Sequence, residues 1–173
     1  MSETPRIERS SEPHPHAYDP DREPELFEGV LARRIVAFLI DAIIIIGPIL
    51  VLALFIFIFG LITFGIGWLL FFLLSPIFVI WALLYTGFTL GSKESATIGM
   101  RVVELELRTW YGAPMYFLLA CVHAIFFWVL TGSLTPLVLV VGLLNRRGRL
   151  LHDFLTGTVM INSEARAARL RRR

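Results

Sequence analysis

The chain has little charge and almost no cysteine. Only 17% of its 173 residues are Asp, Glu, Lys or Arg, while 56% are hydrophobic. Soluble domains usually carry about 25% charged residues. The single cysteine, Cys121, excludes an intrachain disulfide, and its place in an apolar run reads as packing. A Gly-rich phosphate loop, a nucleophile–base spacing and a multi-cysteine metal motif are all missing, so an enzyme is not expected and no cofactor is called for. Basic groups beside apolar runs, without a recognition motif, argue against nucleic acid as a partner. The opening Met1-Ser2-Glu3-Thr4-Pro5 is not the basic lead of a secretory signal, so the first apolar run is expected to stay as an anchor.

What is present is apolar sequence in long runs. Between Ile35 and Leu90 the only ionisable groups are Asp41 and Tyr85; between Ala113 and Leu144 they are Tyr116, Cys121 and His123. Runs of about 18 or more apolar residues are membrane-helix candidates. The expectation is an all-α membrane protein with about four transmembrane or re-entrant helices: two long ones, then a kinked hairpin, with a small cytoplasmic β element. The first helix is expected over about 34–59 and the second over about 67–90, with Gly47-Pro48 and Ser75-Pro76 as kinks. The run 115–144 is too long for one straight span, and Thr131-Gly132-Ser133-Leu134-Thr135-Pro136 breaks it. Val102 to Arg108 shows strand-like alternation at its end, and Gly157 to Ile161 is its only β-prone partner outside the bilayer.

Residues 1–28 read as a disordered acidic tail, 29–162 as the membrane domain and 163–173 as a basic tail. Pro13-His14-Pro15-His16 would hold a metal only loosely, since two histidines without further ligands make a weak site, and it reads rather as solvated tail. Leu26, Phe27, Val30 and Leu31 suggest a short interfacial helix. The tail from Ala165 either lies on anionic lipid or serves as a solvated stretch that fixes topology. Arg33-Arg34, Lys93, Arg101, Arg108 and Arg146-Arg147-Arg149 flank the spans, while the turns at 60–67 and 131–136 carry no Lys or Arg. By the excess of basic residues in cytoplasmic loops, both termini are expected in the cytoplasm.

One carboxylate stands out. Asp41 lies seven residues after Arg34, inside the first apolar run, so both point the same way. An ionised Asp at the centre of a membrane helix costs roughly 2.5–3.5 kcal/mol. A partner, a polar cavity or a proton must offset it.

These residues resemble the RDD family of small bacterial membrane proteins, named for one arginine and two aspartates. The resemblance rests on Arg34, Ala37 and Asp41 in the first helix and on Asp153 within Leu151-His152-Asp153-Phe154-Leu155-Thr156-Gly157-Thr158-Val159. Between them, Ala96-Thr97-Ile98-Gly99-Met100-Arg101 is similar to the family's Thr-x-Gly segment. Arg33 is an alternative to Arg34, but the spacing to Ala37 favours Arg34. The resemblance implies an inner-membrane, multi-pass protein that transports, including ion or proton exchange, or supports other membrane proteins.

Two side-chain pairs carry the functional expectations. Asp41 and His123 are expected at similar depth, facing each other as a proton or ion path or as a static clasp. Arg34 and Asp153 are expected at the membrane edge, as an ion pair tying the tail motif to the first helix. Arg33, Arg149 and His152 are candidates for headgroup contact. A metal site from Asp41, His123, His152 and Asp153 is a weak alternative. The bilayer, anionic lipid headgroups and either a second copy or a larger membrane protein are the implied partners.

Overall fold

The computed structural model describes residues 17–145 and 147–172, without the side chains of 135–139. After a short 3-10 turn at Pro24–Leu26, helix α1 runs Val30–Ile62. Gly29 precedes it with φ 68°, a left-handed conformation that suits glycine. The expected separate interfacial helix is therefore divided: Leu26 and Phe27 precede the break, while Val30 and Leu31 open α1. A tight turn leads into a 3-10 stretch, Ile66–Leu73, continuous with α2, Leu74–Leu90. Trp68 fills the place where a side chain on Gly60 would stand, its Cδ1 lying 1.9 Å from a Cβ built there, so α1 and the start of the second span meet closely at that end.

Three helices among the described residues are long and apolar enough to cross a membrane: Pro24–Ile62, Ile66–Leu90 and Phe117–Leu134. Their outward faces present bare Ile, Leu and Phe, as Phe72 and Val51 do, which suits lipid rather than water.

Helix α3, Ile98–Val102, and strand β1, Leu105–Thr109, follow α2. Helix α4 covers Phe117–Leu144, helix α5 Leu151–Thr156, strand β2 Thr158–Asn162 and helix α6 Glu164–Leu170. The two strands pair antiparallel, from Leu105 opposite Asn162 to Thr109 opposite Thr158. That is the expected pairing, shifted because Val102 ends α3. Two strands alone are marginal. Here Leu105, Leu107 and Met160 share a core with Ala37 of α1, Met100 of α3 and Ala120 of α4, so the helix ends support the sheet.

The break expected at 131–136 falls at Leu134, whose φ −135°, ψ 32° is not helical. Before it, Phe127 packs on Phe38 with ring centroids 5.7 Å apart, and Trp128 packs on Phe78 at 6.2 Å. After it, a Cβ built on Gly142 would lie 2.5 Å from Leu150 Cδ2 and 3.6 Å from Leu31 Cδ1. Leu31 opens α1. The second limb therefore ends on the side from which the first limb entered, and the pair forms a kinked hairpin.

Both tails differ from expectation where they are described. Residues 17–28 pack on the sheet: Leu26 joins Val159, Ile161 and Ala167, and Asn162 donates to the carbonyls of Glu25 (2.8 Å) and Glu28 (3.0 Å). The basic C-terminus forms α6, whose Ala167 is fully buried. Its Arg169 pairs with Glu104 and Arg171 with Glu25. Unequal charge at the two ends thus becomes complementary charge where Arg171 meets Glu25. Residues 1–16, with the Pro-His-Pro-His stretch, lie outside the described residues.

Candidate functional site

Arg34 and Asp153 meet as expected. Arg34 Nη1 donates to Asp153 Oδ2 at 2.6 Å, and Nη2 donates to Oδ1 at 3.0 Å. The fork-on-fork geometry uses the planarity of both groups. Arg34 also donates to the Gly148 carbonyl at 3.1 Å, and the Leu150 amide donates to Asp153 Oδ2 at 2.9 Å. Asp153 is completely buried. Burial alone would raise its carboxyl pKa, but the Arg34 guanidinium overrides that and holds it well below the usual carboxylate range. Arg33 instead donates to the Val103 carbonyl at 2.6 Å, so Arg34 is the arginine of the pair.

Two histidines close around this pair. His152 Nε2 lies 3.4 Å from Arg34 Nη2, and its ring stands edge-on to His123 and Phe127 at 4.9 and 5.2 Å. Burial pushes the His152 pKa down to about 4 despite the neighbouring carboxylate. His123 Nδ1 lies 3.1 Å from Thr156 Oγ1, and its Nε2 lies 3.8 Å from Asp153 Oδ1. Ligand atoms of His123, His152 and Asp153 lie within 4.8 Å of one another, a spacing that a metal ion can bridge. Yet Arg34 occupies both oxygens of Asp153 and brings its own positive charge. The donor set fits a buried ion pair with imidazole walls better than a metal ion.

Arg149 is another correction. It is 1% exposed and stacked between Trp110 and Phe154, 3.7 and 4.1 Å from their ring centroids. It donates to the carbonyls of Thr158 (2.8 Å) and Asp153 (3.0 Å). Burial lowers its pKa to about 10. Arg149 and His152 are both turned inward, so neither contacts a headgroup; Arg33 is half-buried on backbone.

Asp41 sits apart from the histidines. Its Oδ1 accepts from Tyr85 Oη at 2.5 Å and from the Gly99 amide at 2.8 Å; its Oδ2 accepts from Thr97 Oγ1 at 2.6 Å. Thr97 is the N-cap of α3, so the Thr-x-Gly segment is built to hold this carboxylate. A Cβ on Gly99 would lie 2.3 Å from the Ala37 carbonyl, so glycine there and a small residue at 37 let α3 reach α1. The expected Asp41–His123 pair is not formed, because each side chain finds nearer partners. Both nevertheless line one cavity of about 300 Å³ between α1 and α4, with mostly apolar walls. Tyr85, Thr97 and Gly99 escaped the sequence reading as partners of Asp41. The signal was there: Tyr85 is the only other ionisable group between Ile35 and Leu90.

Apolar spans around a buried ion pair, with a polar cap of sheet and short helices on one side, define a multi-pass helical membrane protein. The RDD family model matches residues 29–157, and the chain belongs to that family. Arg34, Asp41, Thr97, Gly99 and Asp153 all lie within the matched region. No curated protein and no solved structure matches the chain.

Proposed function

We propose that this RDD protein is a non-enzymatic helper or assembly partner in the bacterial inner membrane, with both termini in the cytoplasm. The observation that carries this reading is the engagement of its polar groups. Asp41 is closed by three donors from α2 and α3, and Asp153 takes a bidentate arginine from α1. Such groups clasp helices and hold the polar cap in register. The basic groups that flank the spans gather on the cap side, which supports the cytoplasmic placement. Broad apolar outer faces suit lipid and a neighbouring membrane protein, either a second copy or a larger complex.

Crosslinking of the full chain in native membranes, followed by identification of the adducts, tests this reading. A reproducible larger partner or a homo-oligomer is the expected result; only uncrosslinked monomer would refute it. A second reading, a small-ion or proton-coupled carrier or a subunit of one, is favoured by Asp41 and His123 lining the same cavity. Proton and cation flux in proteoliposomes separates the two. Folded wild type and Asp41→Asn should both be silent; flux in wild type that vanishes in a well-folded Asp41→Asn protein would make Asp41 a working carboxylate.

A further inference from the structure

Three arginines gather on one carboxylate where the turn between α3 and β1 reaches the start of α1. Arg33 Nη1 donates to the Val103 carbonyl at 2.6 Å. The next residue, Glu104, pairs with Arg169 and lies 3.9 Å from Arg166. Its carbonyl accepts from the Ser163 amide at 2.8 Å, which sets the start of α6 against the end of α3. Arg166 and Arg169 stand one turn apart on α6, so both reach the same side. They act on Arg33 as like charges, and Glu104 is the opposite charge there. Three guanidinium groups against one carboxylate leave an excess of positive charge. Other arginines of the cap have acids of their own: Arg101 holds Glu94 at 2.7 Å, and Arg108 holds Glu106 at 2.7 Å. Arg33, half-buried, has only a carbonyl among the described residues. A partly desolvated cation beside like charges is short of an anion.

The surface beside this cluster is apolar. Helix α3 lies antiparallel on α1, with Val103 at the level of Arg33 and Gly99 at the level of Ala37 and Asp41. Its side chains Ile98 and Val102 are exposed. So is Val36, one turn deeper than Arg33 on the same face of α1. Excess positive charge above bare apolar side chains, at the mouth of a membrane span, matches an amphiphile with an anionic head. An inorganic anion would use the cations and leave the apolar strip bare. A zwitterionic lipid would cover the strip but bring an ammonium group toward like charge.

We propose that Arg33, Arg166 and Arg169 bind the phosphate of an anionic phospholipid from the leaflet on the cap side, with an acyl chain lying on Val36, Ile98 and Val102. Glu104 holds the two α6 arginines beside Arg33, and arginine has more N–H donors than these contacts use, so the phosphate oxygens take the rest. The site serves a helper and a carrier alike and is independent of the proposed function.

The test is native mass spectrometry of the full-length chain in a neutral detergent, titrated with dioleoylphosphatidylglycerol or dioleoylphosphatidylcholine, with inorganic phosphate as competitor. Arg33→Gln and Arg169→Gln each remove one cation of the cluster, and Val102→Ser removes part of the apolar strip. Lys93→Gln removes an equal charge from an exposed position of the cap outside the cluster. Thermal melting checks the fold of each variant; Arg169 and Val102 are exposed, so those two decide the matter if Arg33→Gln does not fold. The expected results are saturable binding of phosphatidylglycerol, about tenfold tighter than phosphatidylcholine, and affinity about tenfold weaker in Arg33→Gln and Arg169→Gln. Val102→Ser should weaken it about threefold, Lys93→Gln should match wild type, and excess phosphate should not displace the lipid. The proposal is overturned by equal affinity for the two lipids, by equal losses in Arg33→Gln and Lys93→Gln, by unchanged affinity in Arg169→Gln or Val102→Ser, or by displacement of the lipid by inorganic phosphate.

Discussion

Replacing Asp153 by asparagine removes one charge from a fully buried ion pair and leaves its arginine in place. In the native protein Arg34 gives two charge-assisted hydrogen bonds to this carboxylate, at 2.6 and 3.0 Å, and the Leu150 amide gives a third at 2.9 Å. Asparagine keeps one acceptor oxygen but turns an NH2 group toward a donor. Arg34, itself buried, loses its counter-ion. Breaking a buried pair from one side costs about 3–5 kcal/mol, because the remaining charge stays desolvated. Asp153→Asn should therefore lose about that much stability, and α5 with β2 should detach from α1 first. Reversible unfolding in mixed micelles gives the free energy, and limited proteolysis near Gly148 reports the detachment. Arg34→Met with Asp153→Leu should recover most of the loss, since no charge is then stranded. A cycle through the single and double variants should give an interaction energy of about 2 kcal/mol or more. An Asp153→Asn protein within about 0.5 kcal/mol of wild type would refute the view that this pair holds the cap to the membrane helices.

Three further outcomes follow from neighbouring contacts. His152 is neutral in the fold, with its pKa lowered by burial to about 4, whereas the unfolded chain takes up that proton below about pH 6.5. Stability should fall by about 3 kcal/mol between those values, as urea unfolding in micelles at stepped pH will show, and His152→Asn should flatten the slope. Asp153 has the opposite sign: its depressed pKa supplies stability above the ordinary carboxylate range that is lost only in stronger acid, below this window. Gly99→Ala should cost about 1–3 kcal/mol, because the new methyl meets the Ala37 carbonyl and the Asp41 carboxylate. Thermal melting checks the loss, and Ala37→Gly should not rescue it, since the obstacle is backbone. Arg149→Lys keeps the charge but loses the flat stack between Trp110 and Phe154 and one of its two carbonyl contacts. About 2 kcal/mol of destabilisation is expected, with a change in the near-ultraviolet dichroism of Trp110.

Much of the architecture was legible in local sequence. Uncharged runs gave the two long spans, the Thr-Gly-Ser-Leu-Thr-Pro stretch located the break at Leu134, and short alternation gave the strands. Arg34 with Asp153 was legible through the family resemblance, because motifs at the two ends of a domain meet when the chain returns to the same side. Partner choice was less so. Depth along a helix placed Asp41 and His123 at one level, but depth does not fix which side chains share a face. Asp41 turns to Tyr85 and Thr97, while His123 turns to Thr156 and Asp153. Arg149 and His152 looked like surface groups because residue type says nothing of the rings that close over them.

The sequence by itself determined the solvent. Hydrophobic runs without charge belong in a bilayer, since transfer free energy depends mainly on composition and length. It also determined that the few polar groups inside must find partners. Which partners they find was decided only in three dimensions. A hydrogen bond requires atoms within about 3 Å and correctly aimed, and that is set by how α3, α5 and the sheet pack on α1. The closure of Tyr85, Thr97 and Gly99 on Asp41, and of two histidines on the Arg34–Asp153 pair, belongs to that second kind of fact: it exists because distant stretches pack together, and no stretch of the chain alone encodes it.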